Sequence, residues 1–173
     1  MRKVLVIIGA LLFCSAALSQ EEVVHKERKN EISFNAMNFI IFKKLQVSYE
    51  RALNEESSLG VSLLTNLGSN TAFEVLSEGD YAITPYYRHH FQLPFDNVYF
   101  TTGAFTMIHS GLNDLGSTPK KYNDVAFGIT TGTKFISKRG FIYDTYGGFG
   151  RNFFDKNAPV LLVRFAISFG YQF

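Results

Sequence analysis

Residues 160–173 read VLLVRFAISFGYQF. Leu161, Val163, Phe165, Ile167, Phe169, Tyr171 and Phe173 take every second position, and all are apolar or aromatic. Arg164, Ala166, Ser168, Gly170 and Gln172 lie between them and are polar or small. Successive side chains of a strand point to opposite faces, so this is a strand with one greasy and one wet face. Ordinary strands cluster near about five or six residues, whereas one that crosses a membrane needs about 9–11. The length and the final aromatic predict the closing strand of an outer-membrane β-barrel.

The same period recurs upstream. A first strand starts near Glu31, with Ile32, Phe34 and Ala36 on one face and Ser33 and Asn35 on the other. Residues 45–53 place Leu45, Val47, Tyr49 and Leu53 outward and Gln46, Ser48 and Glu50 inward. Residues 57–67 place Leu59, Val61, Leu63 and Leu67 opposite Gly60, Ser62 and Asn66. Residues 80–91 set Tyr81, Ile83, Tyr87 and Phe91 against Thr84, Tyr86, Arg88 and His90. Pro85 interrupts that strand; proline cannot donate to a ladder and a closed barrel has no edge, so a bulge is expected there. Residues 124–136 and 141–151 alternate as well, with Gly128, Thr130, Gly132 and Lys134, then Asp144, Tyr146, Gly148 and Gly150, turned inward.

Two stretches resist this reading. Residues 37–44 contain Phe39-Ile40-Ile41-Phe42, which breaks alternation and is open to three fates: more strand, an apolar loop or a turn of helix. In residues 98–108 the facing is open, because Val98, Phe100 and Ile108 compete with Tyr99, Phe105 and Met107. Residues 109–123, HSGLNDLGSTPKKYN, are dense in turn formers and read as a loop. The tally is eight strands. The links after strands two, four and six are short and those after three and five long, as in barrels with short periplasmic turns and longer outer loops.

The N-terminus reads as a secretory signal: Arg2 and Lys3, an apolar run from Val4 to Phe13, then small-x-small at Ala17-Leu18-Ser19. Cleavage there makes residues 1–19 a signal peptide, 20–29 a polar periplasmic lead-in and 30–173 the barrel domain. Cys14 is the single cysteine, and the bulky Phe13 before it argues against lipoprotein processing. The whole chain has 17 basic and 15 acidic residues. Removing Arg2 and Lys3 with the signal leaves the two signs equal, which argues against nucleic-acid binding, whose footprint is a basic excess. Eighteen Phe and nine Tyr beside 14 Gly suit a barrel with aromatic girdles.

With its signal, eight strands and terminal aromatic, the chain resembles the small outer-membrane barrels of the OmpA/OmpX type. Asn30-Glu31-Ile32 and Tyr49-Glu50-Arg51 resemble recurring tripeptides of an uncharacterised Bacteroidota outer-membrane barrel family. The resemblance implies insertion by the barrel-assembly machinery, with Phe169, Tyr171 and Phe173 as the recognised end, and an outer-membrane location among lipid and lipopolysaccharide. It implies no agreed activity.

A barrel of eight strands is filled by side chains or holds one small ligand, so a wide pore is excluded by size. The inward set includes Glu50, Arg88, Lys134, Asp144 and Arg164. Unpaired charges there are costly, so they are expected to pair, as a polar core or, alternatively, as a gated proton or ion path. His89 and His90 are adjacent and face opposite ways, which speaks against a shared metal. No cofactor is expected. His109-Ser110 invites comparison with lipid-trimming enzymes, but adjacent strand residues point apart, as a working dyad does not. Any binding belongs to residues 68–79 and 109–123, where Phe73, Val75, Leu76 and Leu112 add apolar surface, to a partner the sequence does not name. The chain reads as a non-enzymatic membrane barrel. A lipid-modifying enzyme is the first alternative, and a soluble lipocalin-like barrel with the facing inverted the second.

Overall fold

The computed structural model describes residues 28–68, 79–113 and 120–173. The expected signal peptide and most of the lead-in fall outside them, as do Phe73, Val75 and Leu76. Eight antiparallel strands form a closed barrel in chain order. They are β1 (Asn30–Asn35), β2 (Lys44–Ala52), β3 (Ser57–Asn66), β4 (Tyr81–Gln92), β5 (Val98–Asn113), β6 (Lys120–Ile136), β7 (Phe141–Asn152) and β8 (Leu161–Gln172), with one helix, α1 (Ala36–Phe42), between β1 and β2.

The register sets the barrel's dimensions. Paired residues lead from Glu31 through Glu50, Gly60, Tyr86, Phe105, Gly128 and Gly150 to Leu162 on β8. Across the closing seam, however, Glu31 pairs with Gln172. One circuit therefore slips by ten residues. With about 3.3 Å per residue and about 4.8 Å between strands, that stagger requires a tilt of about 40°.

The outward face is mostly apolar: Ile32, Leu59, Leu63, Ile83, Phe127, Ile129, Phe149, Phe165 and Ile167 are exposed, and Thr131, Thr133 and Thr145 sit among them on β6 and β7. Near the short turns it becomes aromatic, with Phe91, Phe100, Phe135, Phe141, Tyr143, Phe169 and Tyr171 exposed. Tyr143 and Phe169 meet at 5.5 Å, and Phe91 and Phe100 at 6.0 Å. Arg164, Ala166 and Ser168 of β8 point inward and are buried, so the inverted facing of the lipocalin-like alternative is overturned.

Four expectations are settled or corrected. First, residues 36–42 are helical, because Asn35 caps the first turn by accepting from the Asn38 N–H, and Lys43 ends it in the left-handed region at φ 53°. Second, Pro85 makes no bulge. Ile83 pairs with Ile108 and Tyr86 with Phe105, in one unbroken register. A missing N–H interrupts the ladder locally without adding a residue. Third, β5 points Phe105 and Met107 inward and Phe100 and Ile108 outward. Fourth, His109–Asn113 and Lys120–Asn123 are strand rather than loop, pairing as Ser110 with Asn123 and Gly111 with Tyr122. That ribbon rises past the ends of β4 and β7, beyond the apolar belt, so its sequence carries no greasy period.

Candidate functional site

The inward residues sort into layers. Nearest the short turns lies a charge network centred on Glu50, which β2 delivers to the lumen between the outward Tyr49 and Arg51. Lys134 of β6 is 1% exposed, and its ammonium donates to Glu31 Oε1 at 2.8 Å and Glu50 Oε1 at 2.7 Å. Arg88 of β4 donates to Asp144 Oδ2 of β7 at 2.7 Å and stands 3.6 Å from Glu50 Oε2. The Tyr86 and Ser58 hydroxyls donate to the same carboxylate at 3.0 and 2.7 Å. Side chains from β1, β2, β3, β4, β6 and β7 are thus drawn onto one cluster, where each buried charge meets an opposite charge, as a low-dielectric interior demands.

Arg164 sits higher. Its guanidinium lies 4.7 Å from the Phe105 ring and 5.7 Å from that of Tyr146, whose hydroxyl accepts from Nη2 at 3.4 Å. It bridges the charge network to an apolar layer of Leu64, Ala82, Phe105, Met107, Ala126 and Leu162. Phe105 fits because the wall it faces has no side chain: a Cβ on Gly128 would come within 2.5 Å of its ring and one on Gly150 within 3.0 Å. Gly60 clears the way for Tyr86 in the same manner, since a Cβ there would lie 2.3 Å from the ring. Above this layer His109 Nε2 meets Asn152 Oδ1 at 2.8 Å. Among the described residues the buried charged side chains are four acids and four bases: Glu31, Glu50, Asp124 and Asp144 with Lys44, Arg88, Lys134 and Arg164.

Below the network the barrel opens at its short-turn end into a vestibule of about 470 Å³, whose walls include Arg28, Glu31, Glu50, His90, Tyr99 and Lys134. His90 Nε2 is 2.8 Å from Ser58 Oγ and 3.5 Å from Glu50 Oε1. Hydroxyl and carboxylate meet the same ring nitrogen. A nucleophilic relay requires the acid behind the imidazole, on its other nitrogen, so this group is a hydrogen-bond hub. Ser110 and His109 are on opposite faces of β5, His109 buried and Ser110 paired to Tyr81 and Asn123. Among the described residues no group of three or more His, Cys, Asp or Glu is placed to hold a metal.

The network thus gathers Glu50, Arg88, Lys134 and Asp144, and leaves Arg164 among aromatic rings. Sequence reasoning passed over Glu31 and Ser58, although both share the inward parity of Glu50 and Ser62. Of the apolar layer it left Phe105 and Met107 with their facing open and passed over Leu64, Ala82, Ala126 and Leu162, which look like outward residues until their parity is known.

No protein-family model matches the chain, and no curated protein matches it. A solved structure does: the N-terminal β-barrel domain of Pseudomonas aeruginosa OprF, at TM-score 0.60 and 13% identity, over 86% of this chain and 100% of that one. The chain has the eight-stranded barrel fold of that domain. At this identity the likeness is one of architecture alone.

Proposed function

We propose that this chain is an integral outer-membrane barrel without catalytic function, exported through a signal cleaved after Ser19. It serves the envelope as a structural body, and its extracellular loops carry any recognition. The reading rests on one observation, a belt of exposed apolar side chains around a charge-balanced interior. Its height fits. Leu161 and Tyr171 are both exposed and ten residues apart on β8. At about 3.3 Å per residue that is about 33 Å of strand, and at a tilt of about 40° about 25 Å of height, the thickness of the apolar band on such barrels. The aromatic ring near the short turns corresponds to the periplasmic girdle.

Phe169, Tyr171 and Phe173 are exposed at that end, accessible to assembly machinery. Phe173 also closes the seam, its N–H donating to the Asn30 carbonyl and its carbonyl accepting from the Asn30 N–H. The closer Bacteroidota affinity rests on the tripeptides at 30–32 and 49–51 alone. The opposed faces of His109 and Ser110 weigh against the lipid-modifying alternative.

The test is fractionation with a gel. The native chain should enter the detergent-extracted outer-membrane fraction and migrate faster unboiled than boiled. A soluble periplasmic product would refute the membrane reading. Altered lipid A in cells carrying the wild-type chain, restored by Ser110→Ala, would refute the non-enzymatic one.

A further inference from the structure

We propose that α1 is a lipid-facing panel of the barrel wall, standing at membrane depth in place of the upper half of β1, with Phe39, Ile40 and Ile41 against the acyl chains of the outer leaflet. The inference rests on the membrane reading above and goes beyond it by assigning a non-strand segment to the hydrocarbon layer.

The argument begins from register. β1 pairs with β8 only from Glu31–Gln172 to Asn35–Ser168. Residues 161–167 of β8 continue upward past the last of these pairs, and Lys44, Leu45 and Gln46 of β2 continue past Phe34–Val47. The wall therefore has a notch between β8 and β2, and α1 is the element packed against both. At its start Asn35 reaches Phe165, whose side chain belongs to the apolar belt.

A notch between strands leaves backbone groups to satisfy, and in hydrocarbon they must be met internally. Within α1 the helix bonds its own middle, Asn35 Oδ1 accepts from the Asn38 N–H at its start, and the Lys43 N–H donates to the Asn38 carbonyl at its end; three side-chain amides line its margins. Asn35 Nδ2 reaches the Phe165 carbonyl at 3.5 Å and Gln46 Oε1 at 2.8 Å; Asn38 Nδ2 reaches the same Gln46 oxygen at 2.5 Å. Asn38 is buried toward the lumen. At 3.6 residues per turn, Ile40 then points almost directly away from the lumen, with Phe39 and Ile41 flanking it. Phe39 packs edge-on against Phe34 of the outer wall at 5.5 Å. Ile40 is 75% exposed, and the helix, AMNFIIF, carries no charge. An uncharged face of this kind, continuous with the lipid-facing wall on both sides, is matched by acyl chains rather than water.

The test uses single-cysteine variants of the full chain in a Cys14→Ser background, each carrying a polarity-sensitive fluorophore, in phosphatidylcholine vesicles. Ile40→Cys reports the helix, Phe165→Cys the strand wall and Glu55→Cys a short turn; each must retain heat-modifiable migration. Nitroxide on the acyl chains should quench labels 40 and 165 to the same extent and leave label 55 bright, while aqueous iodide should quench only label 55. A label at 40 reached by iodide and spared by nitroxide overturns the proposal while label 165 keeps the membrane reading intact. A label at 40 shielded from both means that protein, such as a second copy, covers the helix, and this also overturns it. Loss of nitroxide quenching at 165 overturns the membrane reading itself.

Discussion

At the scale of single residues, Lys134 is the side chain on which the interior depends. It joins Glu31 to Glu50, and Glu50 joins Arg88, Tyr86 and Ser58. Lys134→Met preserves much of the volume and leaves two carboxylates close together without their shared cation. Removing one partner of a buried ion pair costs about 3–5 kcal/mol. The urea midpoint for loss of the fast-migrating folded band should fall accordingly. Lys134→Met with Glu50→Gln removes one of the two buried charges left without Lys134, and should recover part of the loss. Equal midpoints for wild type and Lys134→Met would show that the network carries no net weight. Part of this cluster is legible from parity alone, because a strand that sends Tyr49 outward sends Glu50 inward. What parity does not give is depth. Arg164 is inward like Arg88, yet the stagger of the barrel lifts it level with Phe105 and away from Glu50, and stagger is a property of the closed sheet rather than of any one strand.

At the scale of elements, the contrast lies between β8 and α1. The strand is readable because each of its faces has one solvent, and two solvents impose a period of two. Residues 36–42 expose an uncharged apolar face on one side and meet a rim of amides on the other, so their pattern is helical and too short to show a period. Asn35, the last residue of β1, commits the chain to turning: it caps α1 and holds Gln46 and Phe165. Asn35→Ala should cost about 1 kcal/mol for the lost cap and about another 1 kcal/mol for the lost hydrogen bond to Gln46, whose oxygen keeps the Asn38 donor. Amide exchange resolves the effect. Protection should drop at Asn38 and at residues 161–167 of β8, while β5 and β6, paired from Val98–Phe135 to Asn113–Lys120, keep theirs. A uniform drop would mean that Asn35 supports the barrel globally and that the helix is no separate unit. β5 escaped sequence reading for a related reason. Phe105 and Met107 are as apolar as Phe100 and Ile108, and only the glycines of β6 and β7, opposite in space and distant in sequence, decide which pair goes inside.

At the scale of the whole molecule, the layering determines what the lumen does. Glu31, Glu50 and Lys134 border the short-turn vestibule. Above them Phe105 and Met107, both buried, span the interior with Leu64 and Leu162, and Arg164 lies across Phe105. An ion moving upward must leave the carboxylates, pass the guanidinium and cross this packed layer, at the steep desolvation cost of an unpaired charge in such a medium. Eight strands leave no room for a bypass. In a planar lipid bilayer the wild-type chain should therefore give no sustained conductance steps. Phe105→Ala with Met107→Ala removes the two largest inward apolar side chains of β5 and leaves the ion pairs untouched. It should produce small flickering steps if the apolar layer is the barrier. Steps that instead follow Lys134→Met, with Phe105 and Met107 intact, would place the barrier in the charge network and would make the apolar layer filling rather than seal.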